Sequence, residues 1–67
     1  MTGNELQEWR REYGFTQQSL ADAAGVALVT VQTWENRYRD TDLWSTLRNN
    51  NASALRMVMD RAEAEKG

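Results

Sequence analysis

Residues 25–37 read GVALVTVQTWENR, and the segment carries two opposite signals. Val26, Val29, Thr30, Val31 and Thr33 are β-branched, the residue type that suits a pleated strand. Alternation, however, would set Val29, Val31 and Thr33 on one face and Leu28, Thr30, Gln32 and Trp34 on the other, which does not separate apolar from polar. The flanking segments all read as helix, so a lone strand would leave its backbone groups without partners. Read as a helix, the segment sets Val31 and Trp34 three apart on one face, with Val26 leading into the turn before them. The low propensity costs about 0.5 kcal/mol per β-branched residue relative to alanine, which burial overrides. The spacing therefore predicts a helix over residues 27–36.

The neighbouring segments support this reading. Upstream, Thr16 is placed to cap QQSLADAAG, a short helix with Leu20, Ala21 and Ala24 on one face and Gly25 as its stop. A helix of about eight residues is marginal alone and must be held by packing. Before it, Thr2 and Glu5 form a capping-box pattern, and Leu6, Trp9 and Tyr13 recur at helical spacing, predicting a helix over 4–13 closed by Gly14. Downstream, Leu43, Trp44 and Leu47 suggest a short helix capped by Thr41 or Asp42, which Asn49, Asn50 and Asn51 are expected to break. A last helix is predicted over 52–65, with Leu55, Val58, Met59 and Ala62 on one side and Arg56, Asp60 and Glu63 on the other. The expected fold is all-α: a compact bundle of about five short helices in a single domain, 1–67, whose C-terminal helix completes the core or a dimer interface.

Composition narrows the function. A chain of 67 residues has little room for a deep catalytic cleft. Cysteine, histidine and proline are absent, so there is no disulfide or thiolate–zinc framework and none of the usual general-base or nucleophile pairs. No catalytic residue, metal ligand, cofactor or small-molecule ligand is expected. No stretch has the length and apolarity of a signal peptide or a membrane span, and a cytoplasmic location without membrane contact is expected. The net charge of −2 argues against a nonspecific polycation, but the distribution is uneven. Between Asn36 and Arg56 the bases are Arg37, Arg39, Arg48 and Arg56, against only Asp40 and Asp42. Seven of the eight bases are arginine, whose planar fork suits phosphate and base edges.

Two short helices around a glycine turn outline a helix-turn-helix, by itself a weak signal. The residues at the joint sharpen it. Ala21 is small where the helices cross closest, Gly25 permits the tight turn, and Leu20, Ala24, Val26, Val31 and Trp34 take the inward positions. The stretch GFTQQSLADAAGVALVTVQTWENR resembles the Cro/CI-type (XRE-like) family of phage and bacterial repressors. It follows that family's G-L-[TS]-Q-x-x-L-A-x-x-x-G-V-S-x-x-x-[IV]-x-x-W-E-x-G at Gly14, Thr16, Gln17, Leu20, Ala21, Gly25, Val26, Val31, Trp34 and Glu35. The resemblance covers residues 5–37.

The resemblance implies a lambda-repressor-like fold that binds double-stranded DNA, with the helix at 27–36 in the major groove. Leu28, Val29, Gln32 and Thr33 match the positions that face base edges. Gln17 matches a phosphate-bonding glutamine, and Gln18 and Thr30 fall near the phosphates at the starts of their helices. Arg37, Tyr38 and Arg39, just past the helix, are the further phosphate candidates, with Arg11 and Arg48 behind them. Arg10 and Glu35 match a structural ion pair. A homodimer on an inverted-repeat operator is implied, with Trp44 and Met59 nearest the interface and Leu43, Leu47, Leu55 and Val58 mostly core. The chain departs from the pattern at Ala27, where Ser or Thr is common, at the apolar Leu28 and Val29, and at Arg37, where glycine is usual. Thymine methyls would then replace part of the hydrogen-bonded readout, leaving Gln32 as the main polar reader. A stand-alone regulator of this kind would act as a repressor, as do Cro-like switches, antitoxins and the regulators beside anti-CRISPR genes. The alternative is a helical protein-interaction or antitoxin-like module that keeps the fold without strong DNA binding.

Overall fold

The computed structural model describes residues 1–66. Five helices follow in order: α1 (Gly3–Glu12), α2 (Gln17–Ala24), α3 (Leu28–Asn36), α4 (Leu43–Thr46) and α5 (Asn49–Lys66). The β-branched run is helical, and the described residues contain no strand, only an isolated antiparallel bridge between Thr2 and Asp42.

Local chemistry sets the first three helices. The Thr2 hydroxyl accepts the Glu5 N–H, and the Glu5 carboxylate accepts the Thr2 N–H, which holds Glu5 below its ordinary pKa. Thr16 caps α2 in the same reciprocal way, with Ser19 as its partner. Both helices close through left-handed glycines, Gly14 at φ 76° and Gly25 at φ 71°. After each glycine the next N–H reaches back into the helix, Phe15 to the Arg10 carbonyl at 2.8 Å and Val26 to the Ala21 carbonyl at 3.0 Å. These closures fix the directions in which α2 and α3 leave their turns.

The core contains Leu6 and Trp9 from α1, Leu20 and Ala21 from α2, Val31 and Trp34 from α3, Leu43 from α4, and Leu55, Val58 and Met59 from α5. Trp9 stacks on Tyr13 at 4.6 Å and on Phe15 at 5.7 Å, and its indole N–H donates to Glu63. The bond to Glu63 fastens the far end of α5 to α1.

Three expectations are corrected at the C-terminal end. The three asparagines do not break the chain but begin α5, and the Arg48 carbonyl accepts the Ala52 N–H at 2.8 Å. First-turn amides have no acceptor within the helix, so asparagine's tendency to bond locally costs little there. The interruption falls instead at Leu47, in extended conformation, which is half-buried rather than core. Met59 is also corrected: it is 7% exposed within the core, because α5 folds its stripe of residues 55, 58 and 59 down onto the other helices. It is therefore not a surface for a second copy.

A seam that is absent from the sequence pattern joins the chain's start to the segment after α3. Gly3 and Asn4 donate their N–H groups to the carbonyls of Tyr38 and Arg39, both at 3.0 Å, and the Asp42 carboxylate pairs with the Met1 ammonium at 2.7 Å. The segment carrying Arg37, Tyr38 and Arg39 is thereby docked on the start of α1.

Candidate nucleic-acid interface

The outward face of α3 follows from its inward one. Val31, Trp34 and Glu35 are buried, and at about 100° per residue the opposite side of the helix centres on Val29 and Thr33. Val29 is 64% exposed, a large apolar side chain held in water. Leu28, Gln32 and Thr33 flank it, each half-buried. The Thr33 hydroxyl donates to the Val29 carbonyl at 2.9 Å, so its donor is used within the helix and its methyl and lone pairs remain. The four residues expected to face base edges thus lie along one side of α3.

Beneath this face lies a buried polar network. Arg10 donates from Nε to Glu35 Oε2 at 2.7 Å and from Nη2 to Oε1 at 3.2 Å, and its Nη1 donates to the Phe15 carbonyl at 3.0 Å. One guanidinium therefore ties α1, the α1–α2 turn and α3 together. Gln17 adds an Nε2 bond to Glu35 at 3.2 Å, which holds its side chain at the start of α2. No buried side-chain polar atom among the described residues lacks a partner.

The three glutamines of α2 and α3 differ in a way that matters for recognition. Gln17 is bonded to Glu35 and Gln18 to Asp22, whereas the Gln32 amide makes no hydrogen bond within the described chain. An amide left uncommitted on the outward side of α3 offers the donor and acceptor pair that matches an adenine edge.

The flanks of α3 supply charge that the helix lacks. Glu35, its one ionisable residue, is consumed internally. Arg37 and Arg39 are exposed just beyond its end, while Tyr38 between them is half-buried against the core. Thr30 is half-buried in a groove between α3 and the α4–α5 corner, lined also by Val29, Thr33, Thr46, Arg48 and Asn51. Sequence alone makes Arg48 a minor candidate and gives no signal for Asn51, because a run of asparagines reads as a helix break.

Of the two candidate dimer residues, Trp44 is half-buried with the Arg56 guanidinium 4.5 Å above its ring. Besides Val29, the large apolar side chain that the core leaves exposed is on α5, where Met57 is 60% exposed beside a cleft of about 240 Å³ with Phe15, Val58 and Ala62 in its walls.

Ala27 holds the N-cap position of α3 in extended conformation, φ −71° and ψ 152°, with no side-chain bond to the first turn. That backbone already suits a capping hydroxyl. Ala27→Ser should therefore stabilise the fold by about 1 kcal/mol, or about 4–8 °C in melting temperature for a domain of this size. An unchanged or lower melting temperature would show that the first turn of α3 does not lack a cap.

The helix-turn-helix family model matches residues 6–43, a span running from α1 through α2 and α3 to the first residue of α4. No curated protein and no solved structure matches the chain. No helix among the described residues is long and apolar enough to cross a membrane. The match covers more than half of the chain and includes the capped α2, the Gly25 turn and α3 with its outward face. The chain belongs to the Cro/CI-type (XRE-like) helix-turn-helix family, and it is a DNA-binding regulator of transcription rather than an enzyme.

Proposed function

We propose that the protein is a transcriptional repressor in a bacterial cytoplasm that binds an inverted-repeat operator as a homodimer, with α3 in the major groove of each half-site. The observation that carries the reading is the uncommitted Gln32 amide beside the exposed Val29 on a helix face without charge. Such a face discriminates bases by one polar contact and by methyl packing, while exposed arginines at its borders supply the affinity. Val29 and Leu28 meet thymine methyls, Thr33 packs beside them, and Gln32 bonds an adenine. Gln17, oriented by Glu35, has a second N–H to offer a phosphate, and Gln18, Thr30, Arg37, Tyr38 and Arg39 border the same backbone. As a repressor, the domain acts by excluding polymerase from the promoter that its operator overlaps. The second copy meets the first through apolar surface outside the core, at Trp44 or along the Met57 cleft.

Gln32→Ala tests the reading face directly. On duplexes differing at single positions, the variant should lose about 1–3 kcal/mol of discrimination at one base pair per half-site and keep its preferences elsewhere. Equal weakening on every sequence would assign Gln32 to general affinity and contradict its role as a reader.

A further inference from the structure

Building on the DNA-binding reading above, we propose that the groove between α3 and the α4–α5 corner seats a phosphate of the DNA backbone, with Arg48 and Asn51 as its ligands. The groove holds about 260 Å³. Val29, Thr30 and Thr33 form the α3 wall, and Thr46, Arg48 and Asn51 form the opposite one.

Position comes first. A helix in the major groove, about 12 Å wide, lies between two phosphate walls, one along each flank. The start of α2, with Gln17 and Gln18, borders one flank of α3. This groove borders the other, and Val29 belongs both to the outward face and to the groove wall. A duplex that touches Val29 therefore brings one strand's backbone over Arg48.

The chemistry of the walls selects an anion. The hydroxyls of Thr33 and Thr46 donate to the carbonyls of Val29 and Asp42, so their donors are used within the protein. Arg48 is exposed and forms no ion pair among the described residues, and the Asn51 amide makes no internal hydrogen bond there. The first turn of α5 contains no acidic residue to repel a phosphate. Asp42, the acid at the start of α4, is engaged by the Met1 ammonium and by Ser45. What remains is a guanidinium, an amide, the Thr30 hydroxyl and the phenol of Tyr38, which also lines this space. Thr46, Arg48 and Asn51 all lie beyond residues 6–43, so the two proposed ligands lie outside the segment matched by the family, while the α3 wall lies within it.

The test uses a duplex selected by the wild-type protein from a random-sequence library, and Arg48→Ala, Arg48→Lys and Asn51→Ala as variants. Because Arg48 is exposed, its replacement should leave the melting temperature unchanged. Arg48→Ala should bind the duplex about tenfold more weakly, with the slope of log affinity against log salt shallower by about one, while Arg48→Lys keeps the slope. Asn51→Ala should weaken binding without altering the slope. A neutral methylphosphonate placed at successive backbone positions should weaken the wild type at each contacted phosphate, and at one of these per half-site Arg48→Ala should be indifferent to the same change. If the wild type binds the duplex and Arg48→Ala matches it in affinity and salt slope, or if the methylphosphonate costs both proteins equally, the seat is overturned while the DNA-binding reading stands. If no duplex is selected at all, that reading fails and the seat with it.

Discussion

Glu35→Ala should remove about 3–5 kcal/mol of stability, the usual loss when one partner of a buried ion pair is deleted. Glu35 is 3% exposed and Arg10 8%, and Glu35 accepts two bonds from the guanidinium and one from Gln17. Without the carboxylate, a positive charge lies buried against the Phe15 carbonyl alone. A core of this size rarely provides more than about 3–5 kcal/mol in total, so the variant should be largely unfolded at 25 °C by circular dichroism. The paired change Arg10→Met with Glu35→Leu should recover most of the loss, since apolar side chains of similar volume commonly replace a buried pair at little net cost. A loss below about 1 kcal/mol for Glu35→Ala would contradict the role given to the pair in fastening α1 to α3.

Gly3→Ala should destabilise the protein although alanine is the better helix former. In an open helical position the change is worth about 1 kcal/mol in favour of alanine. Here the added Cβ would lie 2.0 Å from the Trp34 carbonyl oxygen and 2.8 Å from that of Tyr38, both backbone atoms that cannot turn aside. The start of α1 must then move off the end of α3, lengthening the Gly3 and Asn4 bonds to Tyr38 and Arg39. A net loss of about 2–3 kcal/mol is expected in urea unfolding, the scale of an overpacked core position. DNA affinity should fall as well, because the segment bearing Arg37 and Arg39 loses its anchor. Equal or greater stability for Gly3→Ala would show that the close approach is not present in solution.

What the sequence discloses and what it conceals separate along physical lines. Thr2 with Glu5, Thr16 at the start of α2, and the glycines at 14 and 25 are legible because capping and left-handed closure act within a few residues. The inward Val31 and Trp34 are legible because helical periodicity leaves them no other face. The seam at Gly3 is not, since a glycine in a helix's first turn looks dispensable until another chain segment is seen to press on it. The role of the asparagine run is concealed because a helix-disfavouring residue is harmless at a helix start, and propensity alone does not locate that start. The burial of Met59 is concealed because a stripe of Leu55, Val58, Met59 and Ala62 is wide enough to serve core and surface alike. The position of the candidate phosphate groove depends on the break at Leu47 falling before Arg48, a boundary that periodicity leaves uncertain by a turn.

The central claim is that α3 reads DNA in the major groove through Val29 and Gln32, with two copies of the chain on one site. Selection of duplexes from a random-sequence library by the wild-type protein, followed by sequencing of the bound pool, tests it most directly. The expected pool is an inverted repeat with half-site centres about 10–10.5 base pairs apart, or a multiple of that, each half enriched in thymines and carrying one invariant adenine. A pool without an enriched sequence, or one enriched in a single asymmetric site, would contradict it.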